Sequence, residues 1–127
     1  AIKDCGGDAA KTQALITDGR LAVLAGEDAQ MFATLALGGT GAIAASAHWQ
    51  TPRFVELMAL LRAGDLPGAR HAWQALQPWV AACFAEPNPG PLKALLARDG
   101  EMRNRLRAPM MAASPAMEAR LQSLNRP

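Results

Sequence analysis

Lys3 is the residue with the clearest chemical potential in this chain. It closes the short apolar run Ala1-Ile2 and is followed by Asp4-Cys5-Gly6-Gly7-Asp8, a glycine turn leading into a helix start. An amine at the C-terminal end of a strand, at the mouth of a β/α barrel, can attack a carbonyl and form a Schiff base. That chemistry needs a neutral amine, whereas a free lysine titrates at about 10.4. Burial beside apolar walls disfavours the ammonium and lowers that value, so the chemistry predicts an enclosed Lys3. The same spacing also describes a lysine that ends a strand in solvent, and local pattern does not separate the two.

Other chemical signals are weaker. Gly39-Thr40-Gly41-Ala42-Ile43-Ala44 has the glycine spacing of a dinucleotide-binding turn. Such a turn follows a strand and opens a helix, and here it follows a helix and enters a strand. Asp4, Glu27 and Asp28 are carboxylates at strand ends, without the further ligands a hard cation requires. Asp28 reads better as the cap of the helix it precedes. Cys5 and Cys83 form no disulfide framework and no metal-ligand spacing, which points to a reducing compartment. Cys5 reads as a small, semi-buried filler. Arg98, Arg103, Arg105 and Arg107 form the one local basic cluster and read as a solvated helix end with its loop. His71 reads as a solvated helix residue.

These groups need a scaffold, and the first part of the chain alternates strand and helix. Ala1-Ile2 is expected to end a strand. Asp8 caps a helix to about Asp18 with Thr12, Leu15 and Ile16 inward, and Gly19 stops it. Leu21 to Ala25 is continuously apolar, as for a parallel strand covered on both faces. A helix follows from about Asp28 to Leu37, burying Met31, Phe32 and Leu35. Gly41 to Ala45 is a third strand of small residues.

The second part is helical. Thr51 and Pro52 read as an N-cap and first-turn pair, with Phe54, Leu57, Met58 and Leu61 at helical spacing up to Gly64. A helix from about Leu66 places Ala69, Ala72, Trp73, Leu76, Val80 and Phe84 inward, and Pro78 should kink or break it. Trp73, Leu76, Trp79 and Val80 form an apolar patch for a core or a subunit interface. Leu92, Leu95 and Leu96 mark a shorter helix. Ser114-Pro115 opens the last one, with Met117, Leu121 and Leu124 inward. Short strand–helix alternation implies parallel strands. Three parallel strands cannot close a barrel, so strands preceding residue 1 are expected to complete the sheet.

In chain order, Ile2-Lys3-Asp4 with Gly7-Asp8, Leu24-Ala25-Gly26-Glu27-Asp28, Leu37-Gly38-Gly39-Thr40-Gly41 and Phe84-Ala85-Glu86-Pro87-Asn88-Pro89-Gly90-Pro91-Leu92-Lys93 make a recognisable set. Arg107-Ala108-Pro109 and the last helix complete it. The chain resembles the C-terminal half of the dihydrodipicolinate synthase / N-acetylneuraminate lyase family of class I aldolases, and most of all its dihydrodipicolinate synthase branch. The resemblance implies the C-terminal part of a (β/α)8 TIM barrel in residues 1–64 and a helical C-terminal extension in 65–127. It implies that Lys3 forms an imine with pyruvate, whose methyl becomes an enamine carbon that adds to an aldehyde. In the synthase branch that aldehyde is aspartate semialdehyde. It also implies a substrate-side role for the Ile43 carbonyl and for Gly26, where a side chain would crowd the ligand.

Departures from the family pattern concern the second substrate. The family's proton relay uses tyrosines placed before the lysine, and this sequence has none. His48 stands where the synthase branch commonly has asparagine and is a candidate to shape the aldehyde pocket, although a partly buried loop histidine fits the same pattern. Ser46 replaces a usual threonine.

Bulk properties agree with an enzyme domain. The chain has 127 residues, half of them hydrophobic, and a net charge of +2. That composition supports a core and excludes a disordered chain. Small keto-acid and aldehyde substrates are the expected partners, with no nucleic acid and no membrane. No run approaches the roughly 18 apolar residues of a membrane span, and a nucleic-acid reader would carry a denser basic patch with aromatics between. No metal and no dissociable cofactor are expected. A cytoplasmic location and a homo-oligomer, by the resemblance a tetramer, complete the reading. A sialate lyase or keto-deoxy-sugar aldolase of the same fold is the alternative enzyme. A catalytically silent half-barrel or assembly module is the alternative of another class.

Overall fold

A computed structural model describes residues 1–124. Three short strands, β1 (Ile2–Asp4), β2 (Val23–Ala25) and β3 (Gly41–Ala42), form one parallel sheet in that order. Helix α1 (Ala9–Asp18) connects β1 to β2, and α2 (Met31–Ala36) connects β2 to β3. Four helices follow: α3 (Thr51–Arg62), α4 (Leu66–Cys83), α5 (Gly90–Arg98) and α6 (Pro115–Ser123).

Local chemistry explains most element ends. The Asp8 side chain accepts from Ala10 N and Lys11 N, satisfying two donors that the first turn of α1 leaves free, and Gly19 closes the helix at φ 69°. Asp65 and Ser114 cap α4 and α6 in the same way, accepting from Gly68 N and Met117 N. Both Glu86 oxygens also accept from Ser114, one from its N and one from its Oγ. These bonds hold the Glu86 carboxyl below its usual range and tie the end of α4 to the start of α6.

The sheet departs from the expected lengths. β2 starts at Val23, because the register pairs Ile2 with Val23 and leaves Leu21 beyond the ladder, half exposed. β3 stops at Ala42 instead of Ala45. The Asp28 carboxylate draws off the next free amides, and Ser46–His48 turn into a 3-10 helix. The sheet is covered on one face, where Asp4, Val23 and Ala25 are buried. Leu24 on the other face is only half-buried, so the expected cover on both faces is not provided by the described residues.

Three helical details differ as well. Asp28 opens a 3-10 turn (Asp28–Gln30) ahead of α2 and caps nothing there. Thr51 is the first residue of α3 and its hydroxyl donates back to Ala47 O, so the N-cap is Gln50. Pro78 lies inside an unbroken α4. A proline removes the bond to the carbonyl four residues earlier; here that is Gln74, on the exposed side of the helix, where water can take the bond.

One buried cluster joins the sheet to the helices. Ala25, Met31, Phe54, Leu57, Trp73, Leu76, Trp79, Leu95 and Leu121 all belong to it. Each fully buried leucine contributes about 1.5–3 kcal/mol relative to exposure. The tryptophan patch of α4 is therefore core, with Trp79 against Trp49 and Trp73 against Phe32. Phe84, expected inward, is 44% exposed because α4 ends at Cys83 and the chain turns away. Among the described residues no helix is long and apolar enough to cross a membrane.

Candidate active site

Pleating of β1 separates two functions. Asp4 points to the helix side, where Lys11 Nζ lies 2.6 Å away and the Thr12 hydroxyl donates to its other oxygen. The bond from Lys11, then that from Thr12, holds the Asp4 carboxyl below 3.8, and the same pairing raises the Lys11 ammonium. Lys3, one residue earlier, points to the opposite, uncovered face and is exposed. The enclosure expected for it is therefore not supplied by the described residues, since three strands form an open sheet and leave that face to solvent.

At the C-terminal ends of the strands, Gly26 N donates to Asp4 O at 2.8 Å and Ile43 N donates to Ala25 O at 2.8 Å. These bonds extend the parallel ladder by one step on each strand. They bring Gly26 beside the end of β1 and Ile43 beside the end of β2. Lys3 then lies over Gly26: a Cβ built on the glycine would sit 2.9 Å from Lys3 Cε and 2.9 Å from Asp4 O, and closer still to Cys5 Sγ. Real side-chain carbons do not approach so near, so the absence of one at residue 26 lets the lysine lie across the strand end. Cys5 is exposed on this rim, not the semi-buried filler expected.

Ile43 is half exposed on the open side. The chain after it is pinned by Asp28, which is 4% exposed and accepts from Ala45 N, Ser46 N and Ser46 Oγ. Trp79 Nε1 donates to Ser46 O at 3.1 Å and holds the turn from the α4 side. His48 is exposed, with Nδ1 3.0 Å from Ala45 O. It lines a recess with Gln50, Thr51, Asp99 and Glu101 that contains neither Lys3 nor Gly26. The structure thus gathers Lys3, Gly26 and Ile43 at one rim and puts His48 in a neighbouring recess. The Asp28–Ser46 clamp escapes a sequence reading because the partners lie 18 residues apart and Asp28 has the local signature of a cap.

The sequence model of the Dihydrodipicolinate synthetase family matches residues 1–125. The 4-hydroxy-tetrahydrodipicolinate synthase 2 of Clostridium acetobutylicum is 34% identical over 123 residues, covering 94% of this chain and 43% of the relative. The structure of a monomeric dihydrodipicolinate synthase variant superposes with a TM-score of 0.92 at 31% identity, over 97% of this chain and 43% of the other. A chloride-inhibited dihydrodipicolinate synthase from Acinetobacter baumannii, solved in complex with pyruvate, gives 0.90 at 27% identity over the same shares. The chain spans less than half the length of each of these proteins. A parallel β/α sheet matched this closely, over that share of each relative, is part of a TIM barrel, and the chain belongs to the dihydrodipicolinate synthetase family.

Proposed function

We propose that this chain carries the imine-forming lysine of a dihydrodipicolinate synthase-like lyase, and that Lys3 is that lysine. The observation that carries the reading is the contact of Lys3 with Gly26, at the strand ends where barrel enzymes do their chemistry. The Lys3 amine attacks the pyruvate carbonyl and water leaves, giving the imine. Loss of a methyl proton gives the enamine, whose carbon adds to aspartate semialdehyde. Hydrolysis returns the amine. The protonated imine is the electron sink for the methyl C–H electron pair, so neither a metal nor a dissociable cofactor enters the scheme.

Within that scheme the Ile43 carbonyl faces the bound keto acid, Gly26 leaves room for it, and His48 shapes the aldehyde side. Residues 1–64 are the C-terminal part of the barrel and residues 65–127 its helical extension, of which 125–127 lie outside the described residues. The rest of the barrel supplies the proton relay, for which this sequence has no tyrosine, and the walls that enclose Lys3. The whole protein is read as a cytoplasmic homo-oligomer, a tetramer, that acts on small substrates and binds neither nucleic acid nor membrane.

The test is reductive trapping. The protein that contains this sequence is incubated with pyruvate and borohydride, digested, and its peptides weighed. A reduced-pyruvate adduct on the Lys3 peptide is expected. A folded protein with no adduct at any pyruvate concentration overturns the reading and favours a catalytically silent barrel.

A further inference from the structure

The chain leaving β3 is held more tightly than its place at an open rim requires. Ile43 N is bonded to Ala25 O. Two residues later the Asp28 carboxylate takes Ala45 N at 3.2 Å and Ser46 N at 2.6 Å, along with the Ser46 hydroxyl. Trp79 takes the Ser46 carbonyl. Asp28 and Ser46 are 4% and 0% exposed, so water does not substitute for these bonds. Between the two anchor points lie the Ile43 and Ala44 peptides, and the Ile43 side chain is half exposed. We infer that Asp28 is a positioning residue for the keto-acid site: through Ser46 it sets where the Ile43 carbonyl stands relative to the Lys3 amine.

This rests on the reading of Lys3 as the imine-forming residue and extends it to the pyruvate subsite. A carboxylate suits the task because it only accepts, and all three groups that face it donate. The Asp28→Asn amide keeps one oxygen but turns an NH2 towards one of those donors. The freed peptide can then shift, and weakening a hydrogen bond to a charged keto acid costs on the order of tenfold or more in a binding equilibrium. The amine is untouched, so the defect should appear in pyruvate affinity and not in the capacity to form the imine.

The test compares the unsubstituted protein with D28N, S46A and S46T by borohydride trapping across a pyruvate titration, alongside thermal melting. For D28N, full trapping at saturating pyruvate is expected, with the half-saturating concentration raised about tenfold or more. S46A removes one bond of the three and should fall between. S46T keeps the hydroxyl and should return towards the unsubstituted value. If D28N does not fold, the S46A and S46T pair carries the same comparison. Variants that melt lower yet keep the original half-saturating pyruvate overturn the proposal and leave the clamp a purely structural role. Absence of any adduct with the unsubstituted protein overturns the reading of Lys3 itself, and this inference falls with it.

Discussion

Gly26→Ala is the most direct perturbation of the rim. The new methyl would lie 2.9 Å from both Lys3 Cε and Asp4 O, and nearer to Cys5 Sγ. Ordinary contact begins at 3.4 Å, so each 2.9 Å approach must open by 3.4 − 2.9, or 0.5 Å. Lys3 and Cys5 can swing away. Asp4 O is backbone and accepts from Gly26 N at 2.8 Å, so moving it strains the ladder bond between β1 and β2. Overpacking of this kind costs about 1–3 kcal/mol, read as a shift of the denaturation midpoint. The chemical effect is larger. Lys3 must leave the place it now occupies, and a displacement of about 1 Å at a reacting amine can slow trapping on the order of a hundredfold. The assay is the initial rate of pyruvate-dependent borohydride adduct formation at the Lys3 peptide. A stably folded Gly26→Ala protein that traps pyruvate at the original rate would refute the argument that the missing side chain makes room for the amine.

Two further outcomes follow from the buried charges and thiols. Cys5 is exposed, whereas Cys83 is buried, and burial, reinforced by the nearby Asp28 charge, pushes its thiol up to about 12. From a reference of 9.0 that leaves about a thousandfold less thiolate near neutral pH, so a thiol reagent should label Cys5 in the native protein and Cys83 only after denaturation, as read by peptide mass. The depressed Asp4 carboxyl contributes stability above 3.8, its unfolded value, and loses that contribution as the pH falls through the lower folded value. Lys11→Met removes the main cause of the depression, so its deficit in melting temperature should be widest near neutral pH and narrow below about pH 3.8.

Features that depend on neighbours in the chain were legible without coordinates. Asp8, Gly19 and Ser114 act on amides or turns within three residues of themselves, so the helix ends they set could be read from residue type. The family set around Lys3, Gly26 and the Glu86–Lys93 connector was legible for the same reason, since each piece is contiguous. Apolar spacing likewise placed Trp73, Leu76 and Val80 inward, where the core has them. Distance along the chain is what hid the rest. Asp28 resembles a cap to its immediate neighbours, yet its three hydrogen bonds go to Ala45 and Ser46. That diversion shortens β3, and no local propensity reports it. The contact of Lys3 with Gly26 arises because parallel pairing sets Lys3 beside Leu24, two residues before that glycine, and strand register belongs to the folded sheet. Residue types named the amine and the glycine; hydrogen bonding between distant segments brought them to one rim and fixed the peptide beside them.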